Sequence, residues 1–333
     1  MKNNHNNSID AVITWVDGDD PAHRKKRQQV LAGEPVNNRD EVSTGRNPTR
    51  FVNNNELACC IDSIRAFAPW IRHIYVVTDQ QVPAFLTPET RKKNNIHIVD
   101  HSEIFRSYEW ALPTFNSRTI ETALWRIPGL APRFIYFNDD FVLAGKVTPG
   151  HFFQDGRVVL RGEWNTMIHY GPVRMWLNQL GTFLAGRLLG ITRTMHLLLQ
   201  IRSARLAGFS DRYFRVPHVP HAVRTETLRD FFQQNPSVFE GNITYPFRST
   251  AQFTAIYLAH HLEIKKQNAV LRKADDFVMI NGETDYRFLL YRKLKLLQEQ
   301  KVRFACLHAM EKFDDADQSR IRHVIDQLIR DAS

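Results

Sequence analysis

Two short acidic runs carry the strongest chemistry in this sequence: Asp17-Gly18-Asp19-Asp20 and Asn138-Asp139-Asp140. Paired carboxylates beside an amide can hold Mg²⁺ (or Mn²⁺) against a diphosphate, since magnesium takes oxygen ligands and shares them with phosphates. The competing reading is a plain turn, which Asn and Asp also favour. Gly18 allows either a close backbone approach to a ligand or only a tight bend. His218-Val219-Pro220-His221 is a third candidate. Its imidazoles could bind phosphate, act as acid or base, ligate a metal, or be structural. Zinc is not expected, because no further His or Cys ligands stand at a familiar spacing. Arg224 and Arg248 are candidate phosphate clamps or ordinary surface charge. Asn116-Ser117 either caps a helix or offers backbone N–H groups to a phosphate.

These residues need a scaffold. Ile9–Val16, Ile74–Thr78, Ile96–Val99 and Phe134–Phe137 read as buried strands. Helices are expected over 24–32, 56–68, 117–125, 227–234, 252–263, 286–300 and 317–330. Alternating strands and helices predict a parallel α/β sheet. All four strands run into polar, mostly acidic residues, and open α/β sheets bind ligands beyond their carboxyl ends. Asp17, Asp79, Asp100, Asp139 and Asp140 are therefore expected along one edge. Asn37–Asn55 reads as an irregular polar loop. Met175–Phe214, with Arg187, Arg193, Arg202, Arg205 and Arg212, reads as one or two basic amphipathic helices.

Bulk properties set the limits. A chain of 333 residues, 43% hydrophobic, can bury a large core. A net charge of +9 favours anionic partners without choosing among nucleotide sugars, polymers, acidic lipid and nucleic acid; no nucleic-acid module accompanies it. Three cysteines, Cys59, Cys60 and Cys306, form no C-x-x-C pair and suit a reducing compartment. Met1–Ser8 lacks the apolar core of a signal peptide, and no apolar run reaches the roughly 18 residues of a membrane span. A cytoplasmic protein, peripheral at the inner membrane at most, is expected.

The ordered run of motifs resembles the Stealth family. It comprises Ile9–Pro21, Asn54-Asn55-Glu56-Leu57, Ala68-Pro69-Trp70-Ile71-Arg72, Val77-Thr78-Asp79 and Val99-Asp100-His101. Leu112–Ser117, Ile120-Glu121, Arg126–Leu130, Phe134–Asp140, His218–Ala222 and Phe247-Arg248-Ser249 complete it. That family includes bacterial capsular polysaccharide phosphotransferases and the catalytic subunit of the animal enzyme that makes the mannose-6-phosphate tag.

The resemblance implies a single catalytic domain over 1–333, with a Rossmann-like, GT-A-type core at 9–160. A basic helical insertion at 165–215 and a C-terminal part at 216–333 completing the site follow it. It implies magnesium-dependent transfer of a hexose 1-phosphate from a UDP-sugar to a hydroxyl of a glycan or capsule polymer, with UMP released. Asp17, Asp140, His218, His221 and Arg248 are the implied catalytic residues, and Asp139 and Asp140 the metal ligands. Gly18, Asn55, Asp79, Asn116, Ser117, Asn138, Arg193 and Arg224 are the implied substrate contacts. The alternative is a metal-dependent glycosyltransferase releasing UDP. Where the family often has Asn-Asp near its end, His308-Ala309 stands here, so no ligand is carried over from that block. Cys59-Cys60 also departs from the family and is expected to affect packing only.

Overall fold

The computed structural model describes residues 8–33, 56–167 and 193–332. The four expected strands form: β1 (Ile9–Thr14), β2 (Ile74–Thr78), β3 (Ile96–Asp100) and β4 (Arg133–Asn138). They are mutually parallel, in the spatial order β4-β1-β2-β3, and the His221–Arg224 strand adds antiparallel to β4. The fold is α/β, as expected.

Apolar residues on both faces explain why these strands are buried. Ala11, Ile13, Ile74, Val76, Ile135 and Phe137 belong to one core, against the helix Glu56–Phe67. Val12, Tyr75, Val77, Phe134 and Tyr136 belong to the other, with Ile120 and Ala123 of the helix Ser117–Ala123 and Ile256, Leu258 and Ala259 of the helix Ala255–Lys265. Successive side chains alternate between the two faces, so a sheet covered on both sides needs continuous apolar strands. Asp10 interrupts β1 at 0% exposure. Its carboxylate is satisfied by Arg72 Nε at 2.9 Å, Arg72 Nη2 at 2.6 Å and the Ala131 N–H at 2.8 Å.

β5 (Phe141–Leu143) follows β4 after only Asp139 and Asp140, and belongs to a different sheet. It pairs antiparallel with the strand Phe304–His308, which runs parallel to Phe277–Asn281. A further sheet joins Phe153–Gln154, Arg157–Arg161 and Ala269–Arg272. One sequence expectation needs correction. The described part of the arginine-rich stretch holds a helix, Arg193–Leu206, but Arg212–Arg215 is a strand paired with Glu163–Thr166. The adjacent aromatics Tyr213 and Phe214 outweigh its basic character: they pack into two different cores while Arg212 and Arg215 are exposed.

Candidate active site

The chain leaves β1 toward β2 and β3, then returns to place β4 on the other side of β1. The carboxyl ends of β1 and β4 therefore flank the topological switch point, where open α/β sheets bind ligands. Register aligns them, with Thr14 beside Asn138.

The β1 side is a braced turn. The Asp17 N–H donates to Gln81 Oε1 at 2.9 Å, Gln81 Nε2 donates to the Asp17 carbonyl at 2.8 Å, and Asp17 Oδ1 accepts from the Asp19 N–H at 3.0 Å. Gly18 is buried. At the β2 end, Asp79 is held by Lys26 Nζ, 3.1 Å from both carboxylate oxygens. Asp100 caps the short helix His101–Ile104.

The β4 side carries a polar relay. Tyr136 Oη donates to Asn138 Oδ1 at 2.7 Å and lies 3.0 Å from Thr14 Oγ1 and 3.3 Å from Glu121 Oε1. Asn138 Nδ2 reaches His218 Nε2 at 3.0 Å. His218 also stands 3.9 Å from Asp140 Oδ2 and packs edge-on against Phe141. Two residues from the second sheet converge on the same oxygen: Cys306 Sγ at 3.4 Å and His308 Nδ1 at 3.7 Å.

The two adjacent aspartates titrate apart. Burial pushes Asp139 up to about 8, with the charges of Asp140 and Glu56 adding to it. Burial also opposes ionisation of Asp140, but His308, His218 and the Cys306 thiol outweigh it and hold that carboxyl below its ordinary value. Burial lowers His218 despite Asp140 beside it. Burial raises Glu121 to about 7, against the charge of Arg118 and the Tyr136 hydroxyl. Such divergent environments separate acid and base roles among groups of one type.

His221 is buried, stacked with Tyr136 and ringed by Phe141, Tyr257 and His260. Arg248 and Ser117 meet, with Nη2 donating to Oγ at 2.8 Å.

Two expected substrate contacts are engaged within the protein. Asn116 is fully buried as the cap of the Ser117–Ala123 helix, and its Nδ2 donates to the carbonyls of Tyr245 and Phe247 and to Gln252 Oε1. Its amide holds the segment that presents Arg248, with no donor left for a ligand. Arg224 pairs in register with Arg133, five residues back along β4 from Asn138 and so about 16 Å from the carboxyl edge. It is tied there to Glu226. Asn55 lies outside the described residues, as does the side chain of Arg193.

Sequence reasoning passed over Tyr136, Glu121, Cys306 and His308. Glu121 stood inside a quoted motif. His308 ended a recognisable short strand and was set aside because the residue type departed from the family's; the structure brings it to Asp140 all the same.

Residues 7–34 match Stealth protein conserved region 1, and residues 50–160 match Stealth protein conserved region 2. An exopolysaccharide phosphotransferase of Streptomyces coelicolor is 46% identical over 145 residues, 44% of this chain and 25% of that protein. The capsular polysaccharide phosphotransferase LcbA of Neisseria meningitidis is 42% identical over 146 residues, 44% of this chain and 37% of that protein. The chain thus spans well under half the length of the relatives it matches. Among solved structures, the galactosyltransferase LgtC, in complex with donor and acceptor sugar analogs, superposes over 96% of this chain and 95% of its own, with a TM-score of 0.44 and 9% identity.

Proposed function

We propose that this chain, which carries conserved regions 1 and 2 of the Stealth proteins, transfers a hexose 1-phosphate from a UDP-sugar to a glycan hydroxyl, releasing UMP, in capsule or exopolysaccharide synthesis. The observation that carries the reading is the convergence of Asp140, His218 and Asn138 at the β1/β4 switch point, opposite the Asp17 turn. The names of the relatives support the same class of reaction.

In this reading the acceptor oxygen attacks the β-phosphorus, the bond to the UMP oxygen breaks, and the acceptor proton passes to a carboxylate. Phosphoryl-type transfer asks chiefly for positioning and neutralisation of charge. Asp17 and Glu121 are the candidate bases; Glu121, raised to about 7, is matched to proton transfer near neutrality. Arg248, steadied by Ser117, supplies positive charge to the transferring phosphate. His218, held by Asn138 in the metal-free protein, stands beside it; His221 sets the floor beneath. Asp79 orders the donor side through its Lys26 pair.

A divalent cation bound at Asp140 would neutralise diphosphate charge. The expected magnesium pair, Asp139 and Asp140, fits poorly: the groups facing Asp140 are a thiol and imidazoles, not oxygens. No step is therefore assigned to magnesium. Among the described residues no helix is long and apolar enough to cross a membrane, and contact with an anionic membrane surface belongs to the proposal.

Nucleotide release with a panel of UDP-sugars and a glycan acceptor tests the reading. UMP together with a new phosphodiester phosphorus signal is the expected result. UDP instead would make the protein a glycosyltransferase using the same pocket, and neither nucleotide with any donor would remove the transferase assignment.

A further inference from the structure

Asp140, His218 and Cys306 each present one ligand atom, and these three atoms lie within 4.8 Å of one another. Asp140 Oδ2 stands 3.4 Å from Cys306 Sγ and 3.9 Å from His218 Nε2. A tetrahedral zinc ion with bonds of about 2.0–2.3 Å holds its ligands about 3.3–3.8 Å apart. The two separations from Asp140 are close to that spacing, while His218 and Cys306, within 4.8 Å of each other, would be drawn together by side-chain rotation about the ion.

A second observation points to an occupant. Asp140 Oδ1 is buried with no hydrogen-bond partner among the described residues. Such an acceptor costs about 1–3 kcal/mol when left unmatched, and a cation beside the carboxylate would satisfy it. The site is also built from separate elements rather than one loop. Asp140 comes from the β4–β5 joint, His218 from the segment before His221–Arg224, and Cys306 from the middle of Phe304–His308. Leu307 N–H donates to the Asp140 carbonyl at 2.8 Å and fixes the two strands in this alignment.

We propose that Asp140, His218 and Cys306 bind one zinc-class transition-metal ion, in place of the magnesium ion that the family resemblance implies. The donors decide the class. Thiolate and imidazole select zinc and its softer neighbours, whereas magnesium requires six oxygens in a near-ideal octahedron. Three protein ligands leave a fourth position open, the arrangement of a catalytic rather than a structural zinc site. His308 Nδ1 stands 3.7 Å from the same carboxylate. Binding exchanges the Asn138–His218 hydrogen bond for a coordinate bond and sends the Cys306 thiol proton to solvent as the metal–sulfur bond forms. The inference rests on the transferase reading only for the ion's purpose; its identity is measured without turnover.

The test is chelator-stripped protein dialysed against Zn²⁺, Co²⁺ or Mg²⁺, with metal content and absorption spectra recorded. One zinc per chain is expected, bound at least ~100-fold more tightly than Mg²⁺. The Co²⁺ form should show the strong visible bands of four-coordination and a near-ultraviolet thiolate-to-cobalt band. Cys306→Ser should erase that near-ultraviolet band and weaken zinc by ~10–100-fold, while Cys59→Ser, outside the cluster, should change neither. His218→Gln should weaken zinc while keeping the thiolate band, and near-ultraviolet circular dichroism reports whether each variant is folded. Zinc bound equally by wild type, Cys306→Ser and His218→Gln would overturn the proposal. So would a six-coordinate cobalt spectrum without a thiolate band.

Discussion

Glu121→Gln offers a measurement in which one buried group can be isolated. In the folded protein its carboxyl is raised by burial from 4.5 to about 7. Between those values the folded state holds a proton that the unfolded state has released. Stability from this group is therefore greatest at low pH and falls as pH rises toward 7 and beyond. At about 1.4 kcal/mol per pH unit, the full loss is about 3 kcal/mol. Glutamine keeps the shape and cannot ionise. The two proteins should be compared by urea unfolding at pH 4.5, 6 and 8. All other titrating groups are common to both and cancel in the difference. Glu121→Gln should gain on the wild type by about 3 kcal/mol between pH 4.5 and pH 8, whatever its offset at pH 4.5. That offset includes about 1–3 kcal/mol if the new amide finds no acceptor, since Glu121 Oε2 has no partner among the described residues. A difference that stays flat across this range would refute the argument. It would mean that Glu121 is either already paired or hydrated in solution. The same variant should lose about 100-fold or more in kcat/KM if Glu121 takes the acceptor proton.

Asp140→Ala should abolish transfer in a folded protein, checked by nucleotide release and circular dichroism; turnover like wild type would remove Asp140 from the centre. Arg248→Ala should cost about 100-fold in kcat/KM, while Arg224→Ala, on the strand beside the amino end of β4, should leave kcat/KM within about twofold. Arg72→Ala leaves the Asp10 carboxylate buried without its main partner and should cost about 3–5 kcal/mol in urea unfolding. Gly162→Ala would bring a Cβ to 2.1 Å from the Arg215 carbonyl oxygen, so the Glu163–Thr166 and Arg212–Arg215 pair must separate; a fall in melting temperature of several degrees is expected.

Much of the first sheet could be read directly from the chain. Four apolar runs ending in acids gave the strands, their parallel order class and the edge where Asp17, Asp79, Asp100 and Asn138–Asp140 lie. The signal was local: continuous β-branched runs for strands covered on both faces, and polar residues where each strand stops. What lay beyond reach depended on pairing between distant segments. Nothing in the spacing of His218 says that its neighbour His221 opens a strand antiparallel to β4. Nor does any period announce that Cys306, 166 positions after Asp140, is brought to it by the pairing of Phe304–His308 with β5. Arg224 shows the complementary limit. Its residue type suited phosphate, but register, which no local signal announces, placed it beside Arg133 at the amino end of β4. For Asn116 the sequence offered a helix cap or a phosphate contact, and the structure shows the cap, because a buried amide and a ligand-binding amide look alike in sequence.

The two-residue joint at Asp139-Asp140 also sets when the site can exist. The first sheet up to β4 is encoded within the first 138 residues, but the wall facing Asp140 comes from residues 304–308. During synthesis the four parallel strands leave the ribosome well before that wall, which also contributes Phe304 and Leu307 to the core over one face of their sheet. Until then Asp140 faces an unfinished edge at β5, and the cluster around it is among the last things assembled. A lesion in the strand Phe304–His308 would strike that core and the cluster at Asp140 together.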